Sequence, residues 1–134
     1  MIMAVKRFGV SIEEDVLDKL DKFVLENKFP NRSQAIRHLI EDSAIEQKWQ
    51  SNQVVAGAIV LLFDHHKSDV SNKAGQIQHN YHGLILSTQH IHLDHDLCLE
   101  TIAVKGKSKD LNELAQKLIS LKGVYHGKLV MSRS

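Results

Sequence analysis

Of the nine histidines in the chain, five fall with the single cysteine in the stretch His79–Cys98, HNYHGLILSTQHIHLDHDLC. Imidazole and thiolate are the donor pair that borderline and soft divalent ions favour. In Gln89-His90-Ile91-His92-Leu93 the pattern alternates, so a strand sends His90 and His92 to the same face. Asp94-His95-Asp96 reads as a turn, and Cys98 opens a returning strand. A hairpin of that shape offers two imidazoles and one thiol to one ion. A fourth ligand must come from elsewhere, and the candidates are His79, His82 and His95. A histidine taken singly is more often surface or core filler than ligand. A histidine pair facing the chain's only cysteine is harder to explain that way. On donor types alone zinc is the first expectation, because mixed His/Cys tetrahedral zinc sites are common.

The elements that must position these groups belong to a chain of 134 residues, enough for one ordinary domain or two small ones. The formal net charge is +1, with eight Lys/Arg against nine Asp/Glu in residues 1–50 and nine against seven in residues 51–134. Bulk charge therefore does not argue for nucleic acid, and any such partner has to be read from placement. One cysteine excludes an intrachain disulfide and suits a reducing, cytoplasmic location. No apolar signal region is present at the start, and the apolar run Val54–Phe63 falls far short of the ~20 residues a membrane span needs.

In residues 1–50, Lys6 to Ile12 alternates, with Phe8, Val10 and Ile12 on one face and Arg7, Gly9 and Ser11 on the other. Ser11-Ile12-Glu13-Glu14 fits a capping box that opens a helix carrying Val16, Leu17, Leu20, Phe23 and Val24. Asn27-Lys28-Phe29-Pro30 breaks it, and Asn31-Arg32-Ser33-Gln34 starts a second helix with Ala35, Ile36, Leu39, Ile40, Ala44 and Ile45 on one side. A lone strand has no ladder partner, and even a hairpin is marginal in water. The economical solution is a second copy of the chain, with the two strands paired antiparallel over four helices. Arg7, Gly9 and Ser11 then face outward on a two-stranded ribbon that fits a DNA major groove. Free N–H groups at Asn31–Ser33 suit a backbone phosphate. The order strand, helix, Asn-Arg-Ser turn, helix resembles the ribbon-helix-helix repressors, as does Arg32-Ser33-Gln34-Ala35-Ile36-Arg37.

Ser51-Asn52-Gln53 is the expected boundary, giving domains 1–50 and 51–134. Beyond it come an all-apolar strand at Val54–Phe63, a helix from Ser68 to about Asn80, hairpin strands Gly83–Leu93 and Leu97–Val104, a helix from Ser108 to the Lys122-Gly123 stop, and a strand Val124–Met131. The order β-α-β-β-α-β is the ferredoxin-like arrangement, so the fold class is α+β. Both helices of that fold cover one face of the sheet. The first strand is apolar on both sides, so a closed homo-oligomer covering the second face is expected.

Gln78-His79, His90-Ile91-His92 and His95-Asp96-Leu97-Cys98-Leu99-Glu100, behind that N-terminal pattern, resemble the nickel-responsive regulator (NikR) family. The likeness covers nearly the whole chain, including Gly123-Val124-Tyr125-His126-Gly127. It implies Ni(II) in a square-planar site, with His90, His92 and Cys98 from one subunit and His79 from its neighbour. It also implies a homotetramer, a dimer of dimers, centred on the ferredoxin-like (ACT-like) domain, and a repressor of a palindromic operator in double-stranded DNA. Gln78 and Glu100 would orient the ligands. The chain departs from the family at Gln34 and His38, where Glu and Asp usually serve a second cation site, so that site is not carried over. It departs again at Gly9, where Ser or Thr is usual and a base contact is lost. Three other readings compete: the same scaffold responding to copper, cobalt or zinc, an ACT-type small-molecule sensor, and a metalloenzyme. Four protein ligands leave no open coordination position and no acid/base pair stands nearby, so no enzymatic activity is expected.

Overall fold

The computed structural model describes residues 4–67 and 69–134. The chain divides into two compact units, Met1–Asp42 and Ser43–Ser134.

The first unit contains α1 (Glu14–Glu26) and the start of α2 (Arg32–Gln50). Residues 4–13 are exposed and form no strand, contrary to the alternation at Lys6–Ile12. The physical reason lies in the ladder: its hydrogen bonds have to come from another strand, and among the described residues no strand pairs with this segment. The Ser11 capping box is also corrected. Glu13 is the N-cap of α1, with no side-chain bond to the helix start. At α2 the expected cap is present, with the Gln34 N–H donating to Asn31 Oδ1 at 2.9 Å. The α1–α2 hairpin is closed by Arg32, whose Nε and Nη2 donate to the two Asp21 oxygens at 2.7 and 2.9 Å. Phe23, Phe29 and His38 pack their rings together beneath that turn, which Lys28 negotiates at φ 57°. Ala35 is buried, but much of the two apolar stripes stays open among the described residues of the unit. Phe8, Val10, Ile12, Val16, Leu20, Phe23, Ile36, Leu39 and Ile40 line an open groove, and Phe8 is 74% exposed.

The second unit follows the expected order: β1 (Val54–Asp64), α3 (Val70–Asn80), a 3₁₀ turn (His82–Leu84), β2 (Ile85–His92), β3 (Leu97–Lys107), α4 (Ser108–Ile119) and β4 (Val124–Met131). The sheet runs β2-β3-β1-β4 with every neighbouring pair antiparallel. That is the ferredoxin-like topology. β1 is central, and its burial alternates as a pleated strand requires. Val55, Ile59, Leu61 and Phe63 are fully buried in a core with Val70, Leu111, Leu114 and Leu118, while Ala56, Ala58, Val60 and Leu62 stay partly open on the other face.

The expected boundary, Ser51-Asn52-Gln53, is bonded to the start of α4. Asn52 Oδ1 accepts the Lys109 N–H at 3.0 Å, and Gln53 O accepts the Ser108 N–H at 3.1 Å. Together they cap α4 from a distance in sequence. Trp49, on the last turn of α2, is buried in the sheet unit, and its Nε1–H donates to Ser132 O at 2.8 Å. The division between units therefore falls inside α2, ahead of the position read from sequence, because apolar burial of Trp49 draws the helix end into the second core.

Candidate metal centre

Register places the site. β1 pairs Phe63 with Cys98 and Leu61 with Glu100, and β2 pairs His92 with Cys98 and His90 with Glu100. His90, His92, Cys98 and Glu100 therefore share the face that carries α3 and α4. His90 Nε2 lies 3.2 Å from Cys98 Sγ, and His92 Nδ1 lies 3.3 Å from the same sulfur. Cys98 is fully buried. His90 and His92 thus each bring one ring nitrogen to the Cys98 sulfur.

Glu100 sets how His90 presents itself. The His90 Nδ1–H donates to Glu100 Oε2 at 3.0 Å, which leaves the Nε2 lone pair aimed at the sulfur. Glu100 is 5% exposed, and its other oxygen accepts from Gln78 Nε2. Gln78 Oε1 in turn accepts from Thr88 Oγ1 at 3.0 Å. This relay ties α3 to both hairpin strands. Of the two residues expected to orient the ligands, Glu100 touches His90 directly, and Gln78 touches Glu100.

Burial pushes the Cys98 thiol above its ordinary value, and the carboxylates of Glu100, Asp64 and Asp94 push it the same way. A thiol so placed is held protonated until a cation arrives. The donor set fits a borderline divalent metal, toward which Cys98 would serve as thiolate and His90 and His92 as neutral imidazoles.

His79 is not brought to this set. It is exposed near the C-terminal end of α3, where its ring neighbours His82 at 6.1 Å between centroids. Successive helical residues project roughly 100° apart, so with Gln78 turned to its own sheet, His79 faces outward. The His82 Nδ1–H donates to His79 O at 3.0 Å, and His95 is exposed in the hairpin turn. A residue missed in the sequence is His65, which forms with His92 and Cys98 a group of three potential ligands whose donor atoms lie within 4.8 Å of one another. The adjacent His65-His66 pair was its only sequence signal. Arg7, Gly9 and Ser11 are exposed in the segment preceding α1.

Fold and site together define a ferredoxin-like metal-binding domain behind a pair of helices. Residues 56–132 match the family model described as the NikR C terminal nickel binding domain. A protein named "Putative nickel-responsive regulator" from Syntrophus aciditrophicus is 48% identical over 126 residues, covering 94% of this chain and 92% of its own. A protein of the same name from Thermococcus kodakarensis is 44% identical over 131 residues, covering 97% of this chain and 95% of its own. This chain belongs to the nickel-responsive regulator family. The uncharacterized protein TM1266 from Thermotoga maritima shares the fold, with a TM-score of 0.54 and 15% identity over 59% of this chain and 98% of that one. Among the described residues, no helix is long and apolar enough to cross a membrane.

Proposed function

We propose that this chain is a nickel-responsive transcriptional repressor, a homotetramer that binds a palindromic operator when Ni(II) is held by His90, His92 and Cys98 together with His79 of the partner subunit. The observation that carries the reading is the split at the end of α3. Gln78 is locked to Glu100 inside its own chain, while the next residue, His79, is exposed and aimed elsewhere. Bound metal supplies the fixed charge that holds a thiolate and imidazoles from two subunits together. The chain's own residues do the rest. Glu100 fixes the His90 tautomer, Gln78 carries that constraint into α3, and His79 passes it to a neighbour.

For DNA, Arg7, Gly9 and Ser11 would face the major groove once two N-terminal segments pair. The open groove of the first unit supports that pairing, because its apolar lining needs a second copy to cover it. Lys67, whose Nζ donates to Tyr125 Oη at 3.0 Å, is held on the surface where a phosphate can reach it.

Complementation tests the shared site directly. His79→Ala and Cys98→Ala chains each lose tight nickel binding when assembled alone. Co-expressed, they recover it, because a mixed pair rebuilds one intact site. Tight binding by His79→Ala alone would defeat the intersubunit assignment. A randomised duplex pool should yield an inverted repeat only with Ni(II) present. Enrichment with zinc, copper or cobalt instead would reassign the effector.

A further inference from the structure

Two bonded side chains bracket His79 at the end of α3. On one side, Gln78 is tied to Glu100 and Thr88 of the hairpin strands. On the other, Tyr81 reaches across to α4. Its hydroxyl accepts from Lys117 Nζ at 2.7 Å and donates to Glu113 Oε1 at 3.3 Å, and the Lys117 ammonium lies 3.6 Å from that same oxygen. We infer that Tyr81, Lys117 and Glu113 are positioning residues for His79, a clamp that holds the end of α3 where that imidazole can serve a partner subunit's metal centre. The inference rests on the intersubunit reading of His79 and names what presents that ligand.

A helix leaves its last four carbonyls without partners inside the helix, so its end frays unless something fixes it. Tyr81 is the C-cap of α3, and its N–H donates to Ile77 O at 3.1 Å and Gln78 O at 3.2 Å. Tyr81 O in turn accepts the Leu84 N–H at 2.9 Å, within the turn that leads into β2. His79 O accepts from the His82 ring at 3.0 Å. The backbone around His79 is therefore fastened on both sides, while the side chain itself is exposed.

Exposed ion pairs hold little by themselves, and the Lys117 and Glu113 side chains are about half exposed. The phenol is what gives this trio its grip. Its ring packs against the buried core, and the Lys117 ammonium lies over its face, 5.0 Å from the centroid. A ligand supplied by another chain gains most from such fixing, because a helix end already in place has less freedom to lose on binding.

Tyr81→Phe keeps the ring and removes the hydroxyl, and Lys117→Met keeps the apolar stem and removes the charge. In metal-free full-length protein, each should speed amide hydrogen exchange at Tyr81 and Leu84. Nickel affinity, read by chelator competition, should fall about tenfold in each. The deciding comparison is Tyr81→Phe placed in the His79→Ala chain, where it should cause no further loss because the clamp has no ligand left to present. An equal loss in both backgrounds would reduce the trio to a merely structural role and overturn the inference. Wild-type affinity or unchanged exchange in Tyr81→Phe would overturn it too, with the intersubunit reading left standing as long as His79→Ala alone binds weakly. Tight binding by His79→Ala would instead remove that reading and the clamp together.

Discussion

Glu100 does the most at the scale of single residues, because it accepts from His90 and Gln78 at once. Glu100→Gln keeps the shape and loses the charge that selects the His90 tautomer. Nickel affinity should fall about 10–100-fold, as chelator competition would measure, with the apo fold retained. Cys98 carries the pH dependence. Its raised thiol is protonated near neutrality, so capture of the metal releases a proton and affinity should climb as pH rises. Without metal the sign reverses for stability. The folded thiol binds its proton more tightly than the unfolded one, so this contribution is complete below the ordinary thiol value and fades as pH rises through the folded value. Thermal melts of apo protein should therefore decline on the alkaline side, and Cys98→Ala should flatten that part of the slope. His90, His92 and Cys98 were legible in the sequence because a strand repeats every two residues and a short turn returns the chain. His65 was not, since its approach to His92 depends on β1 joining β3, and no local pattern reports that register.

Elements were read well where one period ran unbroken, as in α4 and the β2–β3 hairpin, and poorly where a partner in space decides the outcome. Lys6–Ile12 has strand alternation and forms no strand among the described residues, and Ser51–Gln53, read as the boundary, caps α4. Gly57 shows how closely elements approach in the sheet. A Cβ there would lie 2.5 Å from Val130 O and 3.3 Å from the Trp49 ring. Gly57→Ala should destabilise the second unit by about 1–3 kcal/mol in urea unfolding, since backbone has to yield. Asp94 governs the hairpin turn. The Leu97 and Asp96 N–H groups hold its carboxyl below the usual range, so its contribution is present above the ordinary carboxylate value and is lost as pH falls through the lowered one. Asp94→Ala should remove that part of the acid sensitivity and loosen the turn, read as faster amide exchange at Asp96 and Leu97.

At the scale of the whole molecule, the two units leave different surfaces uncovered: an apolar groove in the first and a half-open sheet face in the second. Leu39→Asp, in the groove, should prevent pairing of the N-terminal segments and abolish operator binding while nickel binding survives, checked by sedimentation and titration. Arg7→Ala should lower specific DNA affinity and leave both assembly and metal intact. The sequence made both surfaces visible through unmatched apolar stripes. Trp49 has a practical consequence for all of these measurements. It is the only indole in the chain, and it is anchored to Ser132 in the second unit. Intrinsic fluorescence will follow the sheet unit melting and remain silent while the helical unit opens, so a gap between fluorescence and circular dichroism curves would measure how independently the two halves unfold.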